Sequence, residues 1–400
     1  MKNLLVIILV LLATGLSAGN SIFSYYGFPC QNYGKDIYSL GMGDTGSSDI
    51  FRYNTGYANP ALHNRNNRTL FATGLIMGYT WYDSEFEGAE ESYRDDVLDF
   101  PYFNVSLPVN NHRFGIQFNS YASGVVTNQH ALPDSSIEIQ VADKYLYKAD
   151  LIYSANFGTY NAGISGNFYF GHDNRKFAQT GNYGGFDTEE KLIKDFKNIG
   201  FTLGILKSWK KLAVGAHYTP AITLKGESTR QTIHQTEESQ DYEFKLPHQI
   251  NVGITVLPHP QFKVATDLTY ETHEEINSSY RNTLKAGLGL AYEPDPELHR
   301  SAFMKLPMRT GISYRQLAFP DRDGNDIDEL ALSMGLTFPL KRDVNRIDLG
   351  LQYLKRGNLD TNGLSDTSLM LMLGFTGFDI ISRAKDNTRP REIPVKEETE

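Results

Sequence analysis

The sequence is short of almost everything that marks a soluble catalyst or a helical membrane protein. It holds one cysteine, Cys30, so no disulfide can form within the chain. Cys30 follows Pro29, well past the N-terminal leader, and reads as a small buried residue, not a lipid-attachment site. After the leader no run of about 18 apolar residues occurs, which excludes a bundle of membrane-crossing helices. The mean hydropathy of −0.39 agrees. Gly-x-Ser-x-Gly, His-Glu-x-x-His and phosphate-loop motifs are missing and the 10 histidines are scattered, so no enzyme, cofactor or metal site is expected. Positive charge is in deficit, with 38 Lys and Arg against 47 Asp and Glu. The resulting net charge of −9 argues against nucleic acid as a partner. The acidic stretch Asp83 to Asp96 reads as a solvated charge run before it reads as a calcium site.

What is present points to the envelope of a Gram-negative cell. Lys2, the apolar run Leu4 to Ala13 and the small residues Gly15 to Ala18 have the layout of a secretory signal peptide, placed at 1–18. Cleavage after Gly15 or Ala18 fits, and Ala18 is favoured. The chain is rich in Tyr (24), Phe (23) and Gly (35), which suits a soluble secreted β-protein or a transmembrane barrel equally. Period-two alternation separates the two. Phe71, Leu75, Met77, Tyr79 and Trp81 share one strand face, against Ala72, Gly74, Gly78 and Thr80. Tyr145, Tyr147, Leu151 and Tyr153 oppose Lys144, Lys148, Asp150 and Ser154, and Ile250, Val252, Ile254 and Val256 repeat the pattern. Carried through, this predicts an all-β, antiparallel up-and-down transmembrane barrel of about 14 strands. Each strand would be about 10 to 15 residues long, where about 11 tilted residues span an outer-membrane apolar band. Connections alternate between short (Asn110-Asn111, Trp209 to Lys211) and long (83–98, 127–142, 173–195, 226–241), with 294–304 as the exception. Long loops are expected outside the cell and both termini in the periplasm. Trp81, Tyr145, Tyr147, Tyr270, Tyr314 and Tyr353 are expected to form an interfacial girdle. His248 falls on the lipid face, which calls for a bulge at Pro247 or a later strand start.

The segment before the barrel carries a family resemblance. Tyr38 to Asp49 reads YSLGMGDTGSSD, and Asn59-Pro60-Ala61-Leu62 follows shortly before the first strand. This resembles the FadL/TodX family of outer-membrane hydrophobic-compound transporters. The resemblance implies a fourteen-stranded barrel plugged by an N-terminal hatch, here residues 19–67, within a barrel at 68–379 and ahead of a flexible tail at 380–400. The hatch and ligand path would run through Gly41, Gly43, Asn59, Pro60 and Ala61. Glycines allow tight turns in a confined space, and Pro60 pushes Asn59 toward an extended conformation. Lys263, Asp267, Glu271, Lys285, Arg309 and Arg315 fall on the polar faces of strands. They read as salt bridges holding the barrel's shape, or else as a carboxylate-binding site, with Asp267 expected opposite Lys285.

Function follows the resemblance: passive uptake of a hydrophobic or amphipathic small molecule by a monomer surrounded by outer-membrane lipid. Two other readings stay open. One is a barrel partner of a type IX-like secretion system, binding proteins of that machinery. The other is a soluble secreted β-protein.

Overall fold

Alternating sequences that are long enough to cross a bilayer have to close on themselves, because an open sheet edge cannot be hydrated in hydrocarbon. The computed structural model closes in this way. It describes residues 21–24, 30–31, 36–52, 59–65, 69–86, 89–132, 136–181, 187–295, 305–340 and 345–378. The expected leader at 1–18, the tail at 380–400 and most of 294–304 lie outside these residues.

A two-residue strand, β1 (Cys30–Gln31), precedes the wall. The wall itself runs β2 (Leu70–Phe86), β3 (Ala89–Asp99), β4 (Tyr102–Val109), β5 (His112–Ala131), β6 (Ile137–Phe157), β7 (Tyr160–Thr180), β8 (Thr188–Ser208) and β9 (Leu212–Thr219). It continues through β10 (Ile222–Thr232), β11 (Gln240–Leu246), β12 (Gln249–His259), β13 (Phe262–Glu271), β14 (Thr283–Tyr292) and β15 (Met308–Gln316). β16 (Asp328–Pro339), β17 (Arg346–Asn358) and β18 (Leu364–Phe378) complete it. Consecutive spans pair antiparallel, and β18 pairs with β2 from Leu364↔Ser84 to Phe378↔Leu70, closing the barrel. The wall has 14 antiparallel spans, three of them each broken into two strands.

Polarity is inverted relative to a soluble domain. Ile199 is 71% exposed, Leu151 69% and Met334 58%, while Asn104, Asn167 and Thr255 are buried on the inner face. Apolar side chains at such exposure are stable only against lipid. Tyr270, Tyr314 and Tyr353 are exposed on the outer face, as expected of a girdle. Tyr145 departs from that expectation: it is buried, stacked on Tyr147 at 5.7 Å between ring centroids.

The segments expected as long loops are largely β-structure. β2 and β3 stay laddered to Phe86↔Ala89, and β6 and β7 from Ile137↔Thr180. Apolar alternation ends where lipid ends, but polar strands continue their hydrogen-bonded ladder beyond it. β6, β7 and β8 each reach 21 residues, whereas β13 and β14 have 10, so the long-hairpin end is lopsided.

Prolines account for the interruptions. Pro220 separates β9 from β10 and Pro247 separates β11 from β12, on neighbouring spans, since each lacks the N–H that a ladder needs. This also explains His248. Its Nδ1 accepts from the Ala221 N–H at 3.1 Å and lies 2.8 Å from the Tyr218 hydroxyl, so the ring serves the break and not a regular lipid-facing position.

Candidate functional site

The N-terminal segment lies against the inner wall. A single helical turn, α1 (Ile37–Leu40), is capped by Asp36, whose carboxylate accepts from Ser39 N–H at 2.9 Å. Arg52 returns to Asp36 at 2.6 Å and to Asp49 at 3.1 Å, tying the segment into a loop. Burial opposes the Asp36 charge, but Arg52 outweighs it and holds the carboxyl far below the usual carboxylate range. Lys263 of β13 is buried between Asp49 at 2.9 Å and Glu293 at 2.8 Å. Burial likewise opposes the charge of Glu293, and Lys263 pulls its carboxyl down to about 2. The Tyr38 ring sits at the centre, with Arg52, Arg309 and Lys263 at 4.4, 4.5 and 4.7 Å from its centroid and its hydroxyl donating to Glu293 at 2.7 Å.

The residues expected from sequence fall as follows. Gly43 has φ +68°, and a Cβ there would lie 2.6 Å from the Ile312 backbone. Gly41 is not a turn glycine: its φ is −67°, and it makes room for Arg309, whose Nε would lie 2.7 Å from a Cβ. Asn59, Pro60 and Ala61 form a capped turn. The Asn59 side chain accepts from Ala61 N–H at 3.0 Å and donates to Ser47 O at 3.1 Å, while Pro60 opens a 3₁₀ turn that extends to Arg65. Asp267 does not face Lys285. The ladder sets Gly287 opposite Asp267 and Thr269 opposite Lys285, two residues off the expected register, because the hairpin loop runs from 272 to 282. Both instead hold the N-terminal segment: Asp267 accepts from Ser47 N–H at 3.1 Å and Lys285 pairs with Asp44. Arg309 donates to Thr337 at 2.7 Å and pairs with Asp348 at 3.3 Å. Arg315 binds Glu329 at 2.6 Å in a wall network with Arg356 and Asp366.

Opposing the segment is a belt of wall glycines, paired across strands: Gly74 with Gly374, Gly289 with Gly311, Gly215 with Gly253 and Gly163 with Gly204. Added Cβ atoms would meet Met42 O at 2.3 Å from Gly289, Gly43 N at 2.1 Å from Gly311 and the Pro60 carbonyl carbon at 2.4 Å from Gly163. The segment therefore rests directly on backbone.

Nearer the long-hairpin end the inner face turns apolar. Tyr121, Leu146, Tyr169, Phe196, Leu224 and Leu246, from six strands between β5 and β11, form one buried cluster. Phe319 joins it to a second cluster of Phe23, Leu317 and Ile327. Tyr121 is the extra residue of a bulge, as the β5–β6 register shifts between Ser120 and Ala122, and the shift brings Ala122 to the inner face as well. These residues escaped sequence reasoning, although the signal existed: each is an apolar residue on the polar face of its strand.

Beside this cluster the wall has a break. Phe100 and Pro101 interrupt the second span, and three residues there oppose two on β2, between the pairs Ile76↔Asp99 and Thr73↔Phe103. Among the described residues β3 is laddered only to β2, and the part of β5 beyond Ser120 only to β6 and, at Ala122 and Ser123, to β1. A cavity of about 860 Å³ occupies this seam, lined among others by Ile22, Tyr82, Tyr93, Val126, Ile137 and Leu364. Below it, the buried Tyr102 hydroxyl accepts from Ile37 N–H at 3.3 Å, joining the wall break to α1.

The comparisons with known proteins agree with this architecture. A FadL homologue from Pseudomonas aeruginosa is 12% identical, with a TM-score of 0.63 over 88% of this chain and 99% of that one. The P. putida toluene transporter TodX is 15% identical, with a TM-score of 0.61 over 86% and 99%. The Ralstonia pickettii toluene transporter TbuX is 13% identical, with a TM-score of 0.56 over 86% and 98%. At these identities the likeness is one of fold. No curated protein sequence matches the chain. The sequence signature of the BamG family matches residues 1–379, almost its whole length. The chain belongs to the BamG family and is built as an outer-membrane β-barrel of the FadL fold.

Proposed function

We propose that the protein is a monomeric channel for passive uptake of hydrophobic or amphipathic small molecules. The N-terminal segment would be its hatch, the long hairpins would face outward and both termini would lie in the periplasm. The observation that carries the reading is the apolar cluster inside the barrel. A water-filled pore has a polar interior, yet here six strands turn Tyr121, Leu146, Tyr169, Phe196, Leu224 and Leu246 inward, next to a cavity and a break in the wall. Burying an apolar ligand there removes its surface from water at about 25 cal/mol per Å². The solved relatives of this fold include two named as toluene transporters, which supports an apolar cargo. The break at Pro101, beside lipid-facing Leu98 and Met77, offers a sideways exit to a molecule too apolar for water.

The test is a paired substitution, Phe196→Asn with Leu224→Gln, in proteoliposomes supplied with an aromatic hydrocarbon. Uptake is expected to fall about tenfold, the cost of losing one or two apolar contacts. Wild-type uptake by the folded variant would overturn the reading.

A further inference from the structure

The cavity at the seam has a chemistry of its own. Among the described residues its lining includes the carboxylates Glu91 and Asp95 and no lysine, arginine or histidine. Between the two acids Tyr93 stacks on Tyr82, with ring centroids 6.2 Å apart and planes 11° from parallel. Strand alternation puts Glu91, Tyr93, Asp95, Val97 and Asp99 on one face of β3, opposite Ser84, Tyr82, Thr80, Gly78 and Ile76 of β2. The one cation of this strand, Arg94, points to the other face, over Tyr79 at 4.8 Å. Further along the cavity face, at the wall break, Asp99 is only 5% exposed and makes no ion pair with any described residue. A buried carboxylate is costly as the anion unless a cation reaches it, and otherwise takes up a proton.

Acidic groups flanking aromatic faces attract organic cations and repel carboxylates. The rings supply a negative quadrupole face, and the acids supply net charge. Ile22, Val126, Ile137 and Leu364 provide the apolar remainder of the cavity, suited to a hydrocarbon tail. We infer that this cavity binds amphiphiles with a cationic ammonium head and disfavours those with a carboxylate head. The inference rests on the uptake reading and names the class of ligand within it. Asp99 is the next carboxylate on the same face, so a cationic head leaving the cavity meets it at the break.

The experiment compares decyltrimethylammonium with decanoate, titrated calorimetrically into the protein in phosphatidylcholine nanodiscs, with empty nanodiscs subtracted. The ammonium compound is expected to bind about tenfold more tightly. In E91Q/D95N the preference disappears while binding of the alkyl chain persists. Tyr93→Leu, which keeps apolar bulk and removes the aromatic face, lowers the preference without abolishing it. Heat-shifted gel migration confirms that each variant is a folded barrel. Equal affinity of the wild type for both compounds, or an unchanged preference in E91Q/D95N, would overturn the inference. Those outcomes leave the uptake reading to its own test at Phe196 and Leu224. Binding of neither compound would count against both.

Discussion

Tyr38 and Lys263 show how single residues hold the N-terminal segment to the wall. Lys263 is buried with Asp49 and Glu293 within contact distance and the neutral Tyr38 ring beneath it, so the desolvation cost of its charge is offset locally. The consequence for pH has a definite sign. Asp36 and Glu293 have folded-state carboxyls depressed below their unfolded values, so the stability they confer is present above the unfolded value near pH 4. It is lost only as pH falls through the folded value, about 2 for Glu293 and lower for Asp36. Conductance of the protein in planar bilayers is therefore expected to stay low and flat from about pH 8 to about pH 4, and to rise only near pH 2. A rise between about pH 6 and pH 5 would show that other groups hold the segment. At this scale the sequence was partly legible. The inward charges were identifiable by alternation, but their partners were not, because Asp44, Asp49 and Ser47 lie some two hundred residues away in the chain.

Among the elements, the glycine belt is the device that brings the N-terminal segment and the wall together. Substitution at Gly311 would put a Cβ 2.1 Å from Gly43 N, and substitution at Gly43 combines a backbone clash with a φ of +68°. Gly166, on β7, has nothing within 4 Å of an added Cβ. Gly311→Ala and Gly43→Ala are thus expected to lift the segment, raising conductance and its sensitivity to added protease, while Gly166→Ala behaves as wild type. Equal behaviour of all three variants would mean that the segment does not rest on these strands. The strands themselves were legible because alternation reports lipid contact directly. Their ends were not, since the polar continuations of β6, β7 and β8 lose the apolar signal while keeping the ladder.

At the scale of the whole barrel, a wall of 14 spans encloses more space than its own side chains fill, and the N-terminal segment occupies part of it. Deleting Tyr38 to Leu62 should leave a barrel that still migrates faster before boiling than after, because the wall ladder from β2 to β18 is independent of the segment. Its conductance in planar bilayers should increase severalfold as water and ions pass the vacated lumen. Unchanged conductance in a correctly inserted deletion barrel would remove the hatch assignment and leave the barrel standing.

Alternation, strand length and the spacing of turns by themselves determined that this chain makes an antiparallel barrel, because each of those signals is local and answers to lipid on one side of the wall. The motif at Asn59 to Leu62 likewise marked where the wall begins. Tertiary structure alone decided what the interior does. Which glycines face one another, which lysine meets which aspartate, and where Tyr121, Phe196 and Leu224 converge all depend on strand register, and a shift of two residues moved Asp267 from Lys285 to Ser47. The break at Pro101 could be read as a proline in a strand. Only closure of the sheet turned it into a seam with a cavity beside it, because a gap in a wall exists only once the rest of the wall is in place.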